Sequence, residues 1–156
     1  MTPNYAFEVL KITRNNILKK FEGLTIEELN RIPEKFNNNL IWNFGHVIAT
    51  QQILCYGLSG NKAFVSNEII DTYRKGTKPE NFVSAETYKE LIDLSEAAIH
   101  QMEKDYAAGL FKEYKTYTTS YGTTLSTIEE AILFNNVHEG MHLGYCIALR
   151  KLVLAG

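Results

Sequence analysis

The feature that most constrains the fold is a stretch from Leu40 to Ser59 that contains no Asp, Glu, Lys or Arg. Its apolar residues follow a helical period, which predicts a helix over 39–58, and Gly60 follows as a stop signal. Apolar side chains lie nearly all around this helix, and one stripe of it carries Trp42, His46, Ala49, Ile53 and Tyr56. Such a helix must be enclosed by neighbouring elements. The rest of the chain is therefore expected to supply several packing partners.

Three other segments, 4–22, 84–106 and 126–152, have apolar residues at three- and four-residue spacing. The residues between the segments are rich in Gly, Pro, Asn and Ser, which are typical of turns. We therefore predict an all-α protein, a four-helix bundle. The connections 59–83 and 107–124 are longer than an up-and-down bundle needs, so we expect crossover connections or a lid.

Local signals refine this prediction. Ser84 is the expected N-cap of the third segment, and capping boxes are recognised at Thr25–Glu28 and Ser126–Glu129. The run Tyr117–Tyr121 is expected to include a short extended piece. The polar residues expected on the solvent side of the first segment are Arg14, Lys19 and Lys20. The inner stripe expected for the fourth segment is Ile128, Ala131, Asn135, His138, His142, Tyr145, Leu149 and Leu152.

Charge and length narrow the possible partners. The 156 residues include 16 Lys plus Arg and 18 Asp plus Glu, so the formal net charge is −2. One domain over residues 1–156 is expected at this length. Nucleic acid is disfavoured as a partner, because phosphate binding needs a basic excess. We find neither a leader pattern nor an apolar run of about 18 residues, so we expect no membrane association and a cytoplasmic location.

The strongest local motif is His138-Glu139-Gly140-Met141-His142, which has the H-E-x-x-H pattern. Residues four apart lie on one face of a helix, so both imidazoles can reach one metal ion. A zinc protease would take a third ligand from farther along the chain, but residues 143–156 contain no His, Asp or Glu. The protease interpretation is therefore disfavoured.

A third ligand would have to come from upstream, and His46 is the strongest candidate because it lies on the inner stripe of the uncharged helix. His100 groups with Glu96, Glu103 and Lys104 on a face expected to be solvated. Three imidazoles from two packed helices would leave a position open for water or substrate, as in catalytic sites. The alternative is that the histidines are core residues satisfied by hydrogen bonds, although burying three of them without a metal costs desolvation energy.

Several other side chains are candidates for supporting roles. Glu139 is a candidate catalytic proton acceptor, but helical geometry turns it about 100° from His138, so a packing carboxylate explains it equally well. Asn43 and Asn135 each precede a histidine by three residues, and each amide could orient that imidazole. The aromatic residues that could line a pocket, or simply belong to the core, are Trp42, Tyr56, Tyr121 and Tyr145.

Small residues in the helical segments carry two further expectations. Gly140 and Gly144 lie beside the histidine stripe, and glycine inside a helix costs about 1 kcal/mol relative to Ala. They therefore predict the close approach of a neighbouring helix or a ligand. Cys55 and Cys146 lie within apolar helical patterns and are expected to be small buried hydrophobic residues.

The chain resembles the DinB-like superfamily of metal-binding four-helix bundles. The matching pieces are Trp42-Asn43-Phe44-Gly45-His46 in the second long helix, His138 to Gly144 in the fourth, and Gly122-Thr123-Thr124-Leu125 before it. The resemblance covers essentially the whole chain, including the long connection after the second long helix. It implies a divalent metal, zinc or nickel, held by His46, His138 and His142.

The resemblance also implies an activity, because relatives include thiol-dependent S-transferases and a thiol-dependent isomerase. We therefore expect a transferase that joins a low-molecular-weight thiol to a small electrophile. Relatives are often dimeric, which implies a homodimer. Two alternatives stay open, a metal-dependent hydrolase and a non-enzymatic metal-binding or stress-response protein.

Overall fold

The computed structural model describes residues 3–155, and its four long helices form a bundle. Helices α1 and α3 each pack against both α5 and α6. The prediction of an all-α four-helix bundle is therefore confirmed. The elements in chain order are α1 (Pro3–Phe21), α2 (Ile26–Asn30), α3 (Leu40–Gln52), α4 (Asn67–Tyr73), α5 (Ala85–Ala107), β1 (Tyr117–Thr118), β2 (Thr124–Leu125) and α6 (Ile128–Ala155).

Helix α3 is enclosed, as its uncharged sequence predicts, and almost every residue in it is buried. Asn39 caps it by accepting a hydrogen bond from the Trp42 N–H at 2.8 Å. The helix predicted over 39–58 is α-helical only as far as Gln52, and Ile53–Gly57 continue it as a π-helical turn. Gly60 ends the segment with φ +71, a conformation that glycine adopts without strain. Among the described residues, no helix has the combination of length and apolar content that crossing a bilayer requires.

The predicted helix starts are confirmed in two cases and corrected in a third. The capping box at Thr25–Glu28 and the N-cap Ser84 are both present. The box at Ser126–Glu129 is wrong by one residue. Thr127 accepts from the Glu130 N–H at 3.2 Å, and the Glu130 carboxylate accepts from the backbone N–H of Ser126 and of Thr127. Thr127 and Glu130 have the same spacing as the predicted pair, and Glu130 can reach two backbone donors.

Both long connections contain regular structure, of which the sequence pattern indicated only part. Residues 59–83 include helix α4, which packs against α3. In the other connection, β1 and β2 form a small antiparallel hairpin in which Tyr117 pairs with Leu125. The extended piece predicted within Tyr117–Tyr121 is therefore confirmed only for its first two residues.

The core consists of two hydrophobic clusters. Between them lies a set of buried polar side chains that includes Arg14 and Glu139, here called the polar layer. Along α1, for example, Leu10 belongs to one cluster and Ile17 to the other. Arg14 lies between them and is only 3% exposed, so its predicted place on the solvent side is wrong. The reason is spacing: Arg14 is four residues after Leu10 and three before Ile17, which places it on the inner stripe.

Two expectations for α6 are also corrected. Leu152 is 43% exposed and Val153 is buried instead, because the inner stripe drifts around a long helix. Gly140 and Gly144 do not mark a close approach within the chain: a Cβ added at either position would meet nothing within 4 Å. Both glycines face open space.

Candidate metal site

Three of the four histidines meet between α3 and α6. His46 comes from α3, while His138 and His142 lie one turn apart on α6. One ring nitrogen from each lies within 4.8 Å of the other two. The ring centroids are 5.2 Å apart for His46 and His138, 4.8 Å for His46 and His142, and 4.6 Å for His138 and His142. The three residues proposed from the sequence are therefore brought together in a group that could hold a metal ion.

Hydrogen bonds orient two of these rings. The Nδ1 of His46 lies 2.6 Å from the carbonyl oxygen of Tyr73, and the Nδ1 of His142 lies 2.8 Å from the Oδ1 of Asn43. The Asn43 amide is itself fixed, because its Nδ2 donates to the carbonyl oxygen of Asn39. Both partners are acceptors, so each Nδ1 carries the proton. The Nε2 atom of each ring therefore keeps its lone pair, and that of His46 lies 3.3 Å from the Thr50 hydroxyl, which donates to it until a ligand takes its place.

His138 provides the observation that best tests the fit of a cation. Its Nδ1 is buried and has no hydrogen-bond partner among the described residues. A buried polar atom without a partner is costly, and nearly all such atoms in folded proteins are satisfied. A metal ion held by the three imidazoles would provide a reason for grouping these polar rings. Neutral imidazole is a common ligand of divalent transition metals, including zinc, copper, iron and nickel.

Burial keeps these imidazoles neutral. It lowers the pKa of His46, and together with the neighbouring rings it lowers the pKa of His138 to about 3. Burial also lowers the pKa of His142, to about 4, with a further contribution from His46. A protonated imidazole cannot bind a metal through that nitrogen. The lowered pKa values therefore preserve the lone pairs at neutral pH.

The candidate supporting residues have different roles from those their spacing suggested. Asn43 orients His142 on α6 and not His46 on its own helix. Asn135 donates to the Glu139 carboxylate at 2.9 Å and is not paired with His138. Asn43 therefore acts between α3 and α6, whereas Asn135 acts within α6 on a residue four positions along.

The four aromatic candidates have different surroundings. One stacks on a histidine of the group, one lines a pocket beside the group, and two make contacts elsewhere. The Trp42 ring stacks on His46 with centroids 4.7 Å apart, and its Nε1 donates to the Thr77 hydroxyl. Tyr121 lines the adjoining pocket. Tyr145 packs against Phe36, while the Tyr56 hydroxyl donates to Asp105 at 2.6 Å.

Glu139 points into the polar layer of the bundle and not into the histidine group. Its carboxylate is 0% exposed and accepts hydrogen bonds from Arg14 Nε and Nη2 and from Asn135. Arg14 also donates to Gln51 on α3 and to the Ser95 carbonyl on α5. Burial raises the pKa of Glu139, while Arg14 acts in the opposite direction and favours the charged carboxylate. These contacts favour the packing interpretation of Glu139.

The remaining His and Cys residues lie away from the group. His100 is 54% exposed and faces Glu96 and Glu103, as predicted. Cys55 and Cys146 are free and buried, which confirms their predicted role as small hydrophobic residues. Burial raises the pKa of both thiols to about 12, so neither provides a thiolate at neutral pH.

Tyr73 is the contributor that sequence reasoning missed. It ends α4, and its carbonyl oxygen orients His46. Gly45 was the sequence feature that could have indicated a close neighbour here, since a Cβ at this position would lie 2.5 Å from the Tyr73 ring. Gly45 is therefore the helical glycine that permits a close approach, and it lies directly before His46.

A pocket of about 210 Å³ adjoins the histidine group. His46 and His138 form part of its wall, and most of the remaining surface is apolar. Lys75 and several hydroxyl groups of the 117–121 segment also line it. A larger groove of about 980 Å³ contains Trp42 and Tyr73 but none of the three histidines. The smaller pocket is therefore a route by which a ligand could reach the candidate metal site.

Comparison with known proteins agrees with the motif. A family model described as the DinB superfamily matches residues 10–146. The chain belongs to the DinB superfamily. The resemblance inferred from the histidine motifs is thus confirmed.

Structural comparison supports the same fold for this DinB-superfamily chain. A crystal structure described as that of a conserved protein from Enterococcus faecalis has a TM-score of 0.68 and 13% sequence identity. The match covers 100% of this chain and 99% of that one. At such low identity the likeness concerns the fold alone. No curated protein matches this chain.

Proposed function

We propose that this DinB-superfamily protein is a metal-dependent S-transferase, which joins a low-molecular-weight thiol to a small electrophile. The observation that carries the proposal is the convergence of three neutral imidazoles beside an apolar pocket. We propose His46, His138 and His142 as the ligands of zinc or nickel. A divalent cation bound there would favour the thiolate form of a nearby thiol at neutral pH.

The chain's own residues would hold and orient the reactants. Tyr73 and Asn43 fix two of the imidazole rings, so two of the three proposed ligands are oriented before a cation binds. The apolar wall of the pocket would exclude water from the electrophile. Because three protein ligands leave a coordination position open, the pocket side is where the thiol would enter.

The reaction is a displacement at an electrophilic carbon. The thiol sulfur forms a bond to that carbon, and the bond to the leaving group breaks with its electron pair on the leaving group. The thiol proton is released to solvent. Neither buried cysteine is required, since both thiols are protonated and enclosed.

The first experiment measures the metal. Protein purified without a His tag is analysed for bound elements and is then titrated with zinc and with nickel. We expect one equivalent at a single site, because residues 3–155 contain one group of three side chains that could hold a metal. Protein that arrives without metal and fails to bind either ion would overturn the proposal.

The second experiment measures the reaction. Zinc-loaded and nickel-loaded proteins are mixed with monochlorobimane and with cysteine, glutathione or mercaptoacetate, and the thioether product is followed by fluorescence. We expect faster product formation than in the protein-free control. Background rates with every thiol would contradict a transferase, while thiol-independent loss of chloride would favour the hydrolase alternative.

A further inference from the structure

The charged residues that line the pocket beside the histidines are all of one sign. Lys75 lines it, and neither Asp nor Glu is among its lining residues. The nearest carboxylate in the motif, Glu139, is occupied by Arg14 in the polar layer. None of the ion pairs found among residues 3–155 involves Lys75. Lys75 is exposed at the pocket, so the rim of the pocket carries a positive charge that no ion pair among the described residues neutralises.

The turn that carries Lys75 is attached to α3 on both sides. Before Lys75, the Tyr73 carbonyl accepts from His46 Nδ1 at 2.6 Å. After it, the Thr77 hydroxyl accepts from Trp42 Nε1 at 3.1 Å. The same hydroxyl lies 2.8 Å from the Arg74 carbonyl oxygen, to which it donates within the turn. The backbone of Lys75 is thus held beside His46 by hydrogen bonds to the helix that carries this histidine.

The remaining lining indicates the kind of molecule that fits. Leu54, Leu58 and Phe134 provide apolar surface, while Ser120 and Tyr121 provide hydroxyl groups. The volume of about 210 Å³ is below the range of roughly 300–1,000 Å³ that is typical of sites for drug-sized ligands. A small molecule with an apolar body would be enclosed there. Its polar end would meet a lysine and no carboxylate.

We propose that Lys75 is a specificity-determining residue, which selects ligands that carry a carboxylate on a small apolar body. The proposal rests on the proposed function, because it names the substrate class of the same site. The carboxylate can belong to the thiol or to the electrophile. In both cases Lys75 pairs with it at the pocket while the reacting atom faces the histidines.

The test compares phenylacetate with phenylacetamide, which have nearly the same shape and differ in charge. Their binding to zinc-loaded protein is measured by calorimetry for the wild type, Lys75→Gln and Lys78→Gln. Lys78 is the matched control, because it lines the larger groove and not this pocket. An ion pair made by an exposed lysine accounts for up to about a fivefold effect. We therefore expect Lys75→Gln to weaken phenylacetate by up to about fivefold, with phenylacetamide changed by less than about twofold.

A second pair of ligands assigns the carboxylate to one reactant. Mercaptoacetate and mercaptoacetamide are compared in the same three proteins. A loss specific to mercaptoacetate in Lys75→Gln supports the proposal with the carboxylate on the thiol. A loss specific to phenylacetate supports it with the carboxylate on the electrophile. Equal weakening of charged and neutral ligands, or none, would overturn it.

These outcomes separate the inference from the proposed function. If zinc does not bind, the transferase proposal fails, and the phenylacetate comparison is repeated on the metal-free protein. If zinc binds and Lys75→Gln shows no charge selectivity, only the role of Lys75 fails. Zinc content is measured in all three proteins, and we expect it to be equal, because Lys75 is not one of the three grouped histidines.

Discussion

His138 and Glu139 are neighbours in the chain, yet they belong to two different polar sites. His138 faces α3 and the pocket, where it joins two other neutral imidazoles. Glu139 faces the centre of the bundle, where it is paired with Arg14. The rotation of about 100° per residue along a helix separates them. One side of α6 therefore presents the imidazole lone pairs to a ligand. The other side carries the buried carboxylate of Glu139, whose charge is neutralised by Arg14.

This difference bears on the access of ligands to the three-histidine group, the candidate cation site. A carboxylate near three imidazoles would be expected to join the metal site or to form a hydrogen bond with one of the rings. Helical rotation turns Glu139 away from the imidazoles, and Arg14 binds its carboxylate with two nitrogens. The polar layer thus stabilises the packing of α1 against α6 and also leaves the pocket free of acidic side chains. The four predictions that follow test this division.

The largest expected effect is on the histidine side. His138→Ala and His142→Ala are expected to abolish stoichiometric metal binding, because two imidazoles are too few for a tight site. His100→Ala is the matched control and should bind metal like the wild type, since His100 lies on an exposed face. Elemental analysis and calorimetric titration provide the measurement. One equivalent of metal retained in His142→Ala would refute the ligand assignment.

The next effect is on the other side of α6. Arg14→Met is expected to reduce the free energy of unfolding by about 3–5 kcal/mol, because Glu139 is left buried without its partner. The double change Arg14→Met with Glu139→Met should recover part of this loss. Urea denaturation of the metal-free proteins measures both.

Lys11→Met is the control for this prediction. Lys11 and Glu103 form a partly exposed ion pair at 2.6 Å, so its loss is expected to cost no more than about 1 kcal/mol. A similar cost for Arg14→Met and Lys11→Met would show that the buried pair has no special role.

The two asparagines provide a sharper comparison. Asn43→Ala is expected to weaken zinc affinity about 10–100-fold, because His142 loses the acceptor that orients it. Asn135→Ala removes a donor to Glu139 and should lower stability while leaving zinc affinity nearly unchanged. Competition with a zinc chelator measures affinity, and urea denaturation measures stability. Equal zinc affinities in the two variants would contradict the assignment of these amides to separate sites.

The smallest effect concerns the glycines. Gly45→Ala is expected to destabilise the protein by about 1–3 kcal/mol, because its Cβ would overlap the Tyr73 ring. Gly140→Ala faces open space and should instead stabilise the helix by up to about 1 kcal/mol. Thermal denaturation of both variants is the measurement. If both variants changed the stability in the same direction, the close approach of α4 would not explain why glycine is needed at position 45 and not at position 140.

Much of the site could be predicted from the sequence because the relevant rules are local. Helical periodicity places His138 and His142 on one face, and the lack of His, Asp and Glu in residues 143–156 directs the search for a third ligand upstream. The uncharged helix indicates that His46 is enclosed. The expected solvation of His100 also follows from its charged neighbours at helical spacing.

The errors arise where one residue's role depends on a distant element. Arg14 looks like a solvent-facing residue by type, but its spacing and the acid on α6 make it an inner residue. Asn43 could be assigned only to its own helix until the packing of α3 on α6 was known. Gly140 and Gly144 suggested a close approach, which in fact occurs at Gly45, because α4 crosses there.

The sequence by itself determined the helical bundle, the family and the three histidines that could hold a metal, because helical period and motif spacing are properties of contiguous residues. Only the tertiary structure decided which atoms orient those rings, that Glu139 is paired with Arg14, and that Lys75 reaches the pocket. These contacts join residues far apart in the chain, and their partners depend on how the helices pack. The physical reason is that the periodicity of the sequence determines which side chains share one face of a helix. The packing of the helices determines which residues contact that face.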